Sequence, residues 1–174
     1  MSKDFFKKFT EDTNVKLEMY EDYLTEWLPV FISSPYPFKK TVNIIDLFCG
    51  PGKDEEGTLG SPLLALKVLD KYKGHVFQTS VKINLFFNDM NPEYIEQLKK
   101  NIEDFGYNNN KIEIYYSNLD FRDFYPQLNG ITNNSANLLF LDQFGVKYVT
   151  EEKFKHLVQI PVTDLIFFLS LIHI

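Results

Sequence analysis

Cysteine and histidine are scarce in this chain of 174 residues, which has one cysteine and three histidines. A single thiol forms no internal disulfide, and the histidines are too far apart in sequence to suggest a metal site. No run of 18 apolar residues is present, and the N-terminus lacks the apolar region of a signal peptide. We therefore expect no membrane span and a cytoplasmic location.

Positive charge is also in short supply. Lysine and arginine number 18 against 24 aspartate and glutamate residues, which gives a net charge of −6 at pH 7. This balance disfavours a protein that binds nucleic acid through bulk electrostatics, although a local basic groove stays possible. The composition is instead rich in apolar (44%) and aromatic (16%) residues, which predicts a well-packed core in a single domain.

Short apolar runs alternate with amphipathic stretches along most of the chain. The predicted helices are residues 14–31, 61–72, 92–105 and 151–159, and the predicted strands are residues 41–46, 82–88, 111–116, 137–142 and 164–169. Pro29, Pro35 and Pro37 are expected to end the first helix. Ser61 is expected to cap the second. Residues 53–56 and 129–135 are expected to form solvated loops.

This alternation predicts a doubly wound α/β domain with a mostly parallel sheet over residues 41–174. Residues 1–40 would supply a helix and a proline-rich connection that pack on its core. The run 165–174 holds eight apolar residues and is expected to form a buried strand. Because the chain ends inside that run, we expect the sheet to lack its C-terminal strands, which would leave the fifth strand at an edge.

Acidic residues follow four of the predicted strands, at Asp46, Asp89, Asp120 and Asp142. Gly50 and Gly52 come directly after the first strand, where they allow a sharp turn and a close approach of backbone to ligand. Asp89 stands where a carboxylate grips a ribose diol in nucleoside sites of this class. Each residue alone also fits a turn or a solvated strand end, but their joint placement favours a ligand site.

Two other kinds of site receive less support. Cys49 follows a buried strand with no histidine nearby in sequence, which favours a packing role over nucleophilic catalysis. A nicotinamide-dependent oxidoreductase would need a third glycine three residues after Gly52, and Glu55 stands there.

The segment Asp46-Leu-Phe-Cys-Gly-Pro-Gly52 resembles the first motif of class I S-adenosylmethionine-dependent methyltransferases. Together with Gly60-Ser61-Pro62-Leu63 and Leu139-Phe-Leu-Asp-Gln-Phe-Gly145, it looks like the three-Cys-motif partner (TcmP) family. The resemblance implies a Rossmann-like fold, S-adenosylmethionine as cofactor, and a partner that is a three-Cys-motif protein similar to radical S-adenosylmethionine enzymes. It also implies an association with phage or mobile elements.

The same resemblance implies roles for individual residues. Asp46, Gly50 and Gly52 would surround the methionine part of the cofactor. The other residues implied at the site are Phe48 along the cofactor, Asp89 at the ribose, Asp120 at the adenine and Asp142 nearest the methyl group. Gln143 stands where the family pattern has proline, which favours an alternative: a methyltransferase-like partner that acts through protein contact without catalysis.

Overall fold

Parallel strands form the centre of the protein. A computed structural model describes residues 8–107, 109–144 and 149–170. The strands in these ranges are β1 (Thr41–Asp46), β2 (Lys82–Asn88), β3 (Ile112–Ser117), β4 (Ala136–Phe144) and β5 (Thr163–Ser170). The helices are α1 (Glu11–Ile32), α2 (Ser61–Lys71), α3 (Lys73–Gln78), α4 (Pro92–Phe105), α5 (Phe121–Phe124), α6 (Leu128–Ile131) and α7 (Glu151–Leu157), with a 3₁₀ turn at Tyr125–Gln127. No helix in these ranges combines the length and apolar character needed to cross a membrane. Gly145 of the fourth-strand motif and residues 171–174 of the C-terminal run lie outside the described residues.

The strand order is β3-β2-β1-β4-β5, and every neighbouring pair is parallel. Strand order reverses between β1 and β4, because the chain adds strands outward on one side of β1 and then crosses to the other side. The prediction of a doubly wound α/β domain is therefore confirmed.

Hydrophobic cores cover both faces of this sheet. Successive residues of a strand point to opposite faces, so Ile44 belongs to the core beneath α1, α2 and α4, and Ile45 to the core beneath α5, α6 and α7. Both side chains are fully buried. Helix α1 contributes buried side chains to the larger of the two cores.

Strand β5 is less buried than the sequence suggested. Its side chains from Leu165 to Phe168 are partly exposed, because β5 lies at one edge of the described sheet and pairs only with β4 on its inner side. The expectation of an edge position is confirmed, while the expectation of a buried strand is wrong for these four residues.

Pro29 does not end α1, contrary to expectation, and the helix continues to Ile32. A proline inside a helix removes the hydrogen bond to the carbonyl four residues earlier, which here belongs to Thr25. The hydroxyl of Tyr72, at the end of α2, donates to that carbonyl at 3.0 Å. A side chain from the neighbouring helix thus satisfies the group that Pro29 leaves unpaired.

A row of polar side chains crosses the buried sheet, and we call it the amide row: Asn84, Asn43, Asn137 and Thr163, on β2, β1, β4 and β5. These residues are register partners of one another. Asn84 Nδ2 donates to Asn43 Oδ1 at 2.9 Å, Asn43 Nδ2 to Asn137 Oδ1 at 2.9 Å, and Asn137 Nδ2 to Thr163 Oγ1 at 3.0 Å. Buried amides with partners on neighbouring strands stabilise one strand register.

Candidate functional site

The site predicted from the sequence lies at the carboxyl edge of the sheet, where β1 and β4 diverge. Open parallel sheets bind ligands at such a switch point. Asp46 is the last residue of β1, and its register partner on β4 is Phe140. Asp142 lies two residues after Phe140, near the end of β4. Asp89 follows β2 directly. The fold therefore brings three of the four predicted acids to neighbouring strand ends.

The loop after β1 carries the two predicted glycines in left-handed conformations, with φ of +57° at Gly50 and +85° at Gly52. A Cβ atom at Gly52 would lie 2.6 Å from Leu98 Cδ1 and 3.5 Å from Leu63 Cγ. Gly52 thus lets the loop pack tightly against α2 and α4, a role beyond the expected close approach to a ligand. The Gly52 carbonyl also accepts a hydrogen bond from Gly60 N at 2.7 Å.

We predict that Gly52→Ala lowers the free energy of unfolding by about 2–4 kcal/mol, because left-handed strain adds to the clash with Leu98. Gly57→Ala is the matched control, since Gly57 has φ +88° and open space around its Cα. The control should lose only the strain contribution, about 1–2 kcal/mol. Urea unfolding of both variants measures the difference, and equal losses would contradict the packing role of Gly52.

Asp46 is the most buried acid of the site, with 1% of its surface exposed. Its Oδ1 accepts a hydrogen bond from Phe48 N at 3.1 Å, and its Oδ2 accepts one from Ser61 Oγ at 2.6 Å. Burial raises the pKa of Asp46 to about 7; the charges of Asp89 and Asp142 add to the rise, and the two hydrogen bonds oppose it. Near neutral pH the site therefore holds a carboxylate that is easily protonated.

Asp89 joins the end of β2 to the glycine loop. Its Oδ2 accepts a hydrogen bond from Gly50 N at 3.1 Å, and its Oδ1 accepts one from Asn91 N at 2.8 Å. Burial raises the pKa of Asp89, and these two backbone donors oppose the rise. Its neighbour Asn88 donates to the carbonyls of Leu47 and Leu119, at 3.3 and 3.0 Å, which holds together the segments that follow β1, β2 and β3.

Asp142 is paired with a lysine from α1. Lys16 Nζ lies 2.7 Å from Asp142 Oδ1, and each side chain is 21% exposed. Burial raises the pKa of Asp142, and the hydrogen bond and charge of Lys16 oppose the rise. Lys16 also lies 5.6 Å from the centre of the Phe168 ring on β5. The predicted catalytic acid thus has a partner already within the chain.

Asp120 lies apart from this group in its interactions. Its side chain caps α5 and accepts hydrogen bonds from the backbone amide and the guanidinium of Arg122. These interactions lower the pKa of Asp120 to about 2. Phe48, also expected at the cofactor, stacks on Phe121 with ring centres 5.7 Å apart. The expected adenine role of Asp120 stays a prediction.

Several contacts at the site were not expected from the sequence. Ser61 does not cap α2: Gly60 occupies the cap position, and the Ser61 hydroxyl bonds to Asp46. Asp54, expected in a solvated loop, is 4% exposed and accepts a hydrogen bond from Phe9 N at 2.9 Å. The start of α1 is therefore attached to the glycine loop. No sequence signal distinguishes these residues from ordinary caps and loop acids.

The remaining candidate groups at the site are the Cys49 thiol and possible metal ligands. Cys49 is buried, and burial together with the charges of Asp46 and Asp89 raises its pKa well above the ordinary thiol value, which agrees with a packing role. Within the described ranges, no cluster of three or more His, Cys, Asp or Glu side chains is arranged to hold a metal ion.

The arrangement places carboxylates from three strand ends around the glycine loop; the Gly50 amide already donates to Asp89, and Lys16 is already paired with Asp142. A search of protein-family models finds none that matches this chain, and a search of curated proteins likewise finds no match.

Proposed function

We propose that the protein binds S-adenosylmethionine at the carboxyl edge of the sheet and is a methyltransferase of the three-Cys-motif partner type. The observation that carries this proposal is the charge around the glycine loop. Asp46, Asp89 and Asp142 all have pKa values raised by burial, and the lysine that lies 2.7 Å from Asp142 is Lys16. Carboxylates that are costly to ionise favour a ligand that brings positive charge.

S-adenosylmethionine fits this requirement, because it carries a sulfonium and an ammonium group. A dinucleotide such as NAD brings a pyrophosphate, whose negative charge would add to that of the three acids. The charge pattern therefore supports a sulfonium nucleoside over a dinucleotide on this Rossmann-like sheet.

The remaining hydrogen-bonding capacity of the acids agrees with the proposed roles. An ionised carboxylate offers about four acceptor positions, and the described contacts of Asp89 and of Asp46 use two in each. Asp89 would bind the two ribose hydroxyls, and Asp46 the ammonium group. Backbone at Gly50 and Gly52 would follow the methionine part.

Bound S-adenosylmethionine would supply a methyl group on a positively charged sulfur, which an acceptor nucleophile can take. The protein would contribute orientation of the acceptor and exclusion of water, and Asp142 would lie closest to the acceptor. The expected partner, a three-Cys-motif protein, belongs to the same proposal and rests on the sequence resemblance.

One observation favours a second function, in which the protein binds the cofactor but acts only through protein contact. The 2.7 Å contact between Lys16 and Asp142 engages the acid that would assist transfer. A carboxylate held in an ion pair is a weaker base for an acceptor proton.

Calorimetry at pH 8 with S-adenosylmethionine, S-adenosylhomocysteine and NAD tests the proposed cofactor. We expect both sulfur nucleosides to bind, the sulfonium form more tightly because of its charge, and NAD not to bind. Binding of NAD alone, or of none of the three by the folded protein, would contradict the proposal. A second assay measures the transfer of tritiated methyl groups to a cell extract. Transfer by wild type that is lost in Asp142→Asn would support the methyltransferase, and binding without transfer would support the non-catalytic partner.

A further inference from the structure

Tyr20 presents a buried hydroxyl group for which the described residues provide no hydrogen-bond partner. The residue is fully buried on the sheet-facing side of α1. Buried hydroxyl groups in native proteins nearly always have a partner, so an unpaired one calls for an explanation. Phenylalanine would fill the same space without leaving a polar atom unpaired.

The Tyr20 ring lies beside the candidate site. Its centre is 4.4 Å from that of Phe140, the register partner of Asp46. Burial raises the pKa of Tyr20, and the nearby Asp46 charge raises it further, so the phenol keeps its proton and can donate a hydrogen bond. Lys16, one helical turn earlier on α1, reaches Asp142. Through Tyr20 and Lys16, this side of α1 lies along the ends of β1 and β4.

Helix α1 and the glycine loop are also connected directly. The backbone amide of Phe9, just before α1, donates to Asp54 in the loop that follows Gly52. The start of α1 and the loop thus form one side of the site.

We infer that the Tyr20 hydroxyl is a cofactor-binding group that donates a hydrogen bond to the carboxylate of the cofactor's amino-acid end. The inference rests on the proposed function. The α-carboxylate and α-ammonium groups share one carbon, so neighbouring Tyr20 and Asp46 side chains suit them as a pair: a neutral donor for the anion and a carboxylate for the cation.

The test compares Tyr20→Phe with wild type by calorimetry, using two ligands. S-adenosylhomocysteine has the amino-acid end, and 5′-methylthioadenosine lacks it. We expect the variant to lose about tenfold in affinity for the first ligand and to bind the second as wild type does. Without ligand, its urea midpoint should equal or exceed that of wild type, because an unpaired hydroxyl has been removed.

Tyr107→Phe is the control, because the Tyr107 hydroxyl is also buried but lies just after α4, whose C-terminal end is at the opposite edge of the sheet. It should change neither affinity. If Tyr20→Phe binds S-adenosylhomocysteine like wild type, or loses affinity for both ligands equally, the assignment of Tyr20 is wrong. If wild type binds neither ligand, the proposed function is wrong and the inference falls with it.

Discussion

Asp46→Asn is expected to stabilise the folded protein at pH 8 while it weakens cofactor binding. The folded-state pKa of about 7 lies above the value of about 3.9 in an unfolded chain. As pH rises, the Asp46 carboxyl therefore loses its proton at a lower pH in the unfolded chain than in the folded protein. Its contribution to the free energy of unfolding falls as pH rises from about 4 to about 7. Above pH 7 the folded protein carries the full cost of a buried charge, which the neutral amide avoids.

We expect Asp46→Asn to raise the free energy of unfolding at pH 8 by about 2–4 kcal/mol. The amide oxygen can still accept from Phe48 N, and the rotatable Ser61 hydroxyl can accept from the new Nδ2. At pH 4 the gain should nearly vanish, since the folded protein then holds Asp46 protonated. Urea unfolding at the two pH values measures the effect.

Affinity for S-adenosylmethionine should fall at least about tenfold in the same variant, because the ammonium loses its charged partner. Asp104→Asn, at an exposed position on α4, should change neither stability nor binding. A variant that is less stable than wild type at pH 8 would show that Asp46 carries no burial cost. Unchanged affinity would show that the ammonium binds elsewhere.

Asn43→Ala is expected to lower the free energy of unfolding by about 3–5 kcal/mol. Asn43 is the centre of the amide row. Its Nδ2 lies 2.9 Å from each of three acceptors, on Ile131, Ser135 and Asn137, and its Oδ1 accepts from Asn84. Truncation leaves the buried Asn84 Nδ2 without its acceptor, which costs about 1–3 kcal/mol. It also removes three hydrogen bonds donated by Asn43, each of which contributes about 1 kcal/mol, although the Ser135 hydroxyl stays within 2.8 Å of Asn137 Oδ1 and 3.4 Å of the Ile131 carbonyl oxygen.

Asn84→Ala makes the same chemical change one strand away and should cost only about 1 kcal/mol. Among the residues that the structure describes, the Asn84 side chain bonds to Asn43, and no partner is found there for its Oδ1. Urea unfolding of both variants gives the comparison. Equal losses would mean that the row stabilises each strand separately and that Asn43 has no central role.

The elements that the sequence predicts well are those with a strong local pattern. Strands β1 and β2 and helix α4 have the predicted bounds, because β-branched runs and a regular apolar stripe leave little choice of local structure. The short helices α5 and α6 were not predicted, and α6 begins at Leu128 and extends into residues 129–135, which were expected to form a loop. Four-residue helices are unstable alone, and these depend on buried side chains such as Phe121 and Leu128.

The candidate site follows the same rule. The strand-end acids were predictable, since parallel strands place their carboxyl ends at one edge. Their partners were not, because Lys16 lies 126 residues from Asp142 in sequence and a local pattern carries no information at that separation. Tyr20 fits the apolar stripe of α1 like any core residue. Its unpaired hydroxyl is evident only once the neighbouring side chains are placed.

The amide row also bears on the rate at which the protein unfolds. Its hydrogen bonds join residues far apart in the chain, from 26 positions for Asn137 and Thr163 to 94 for Asn43 and Asn137. Contacts at such separations require that long loops close first, and we expect these side-chain hydrogen bonds, which depend on the final packing of the strands, to be incomplete in the folding transition state. Interactions absent from the transition state slow unfolding and leave the folding rate nearly unchanged. The row therefore lengthens the lifetime of the folded sheet.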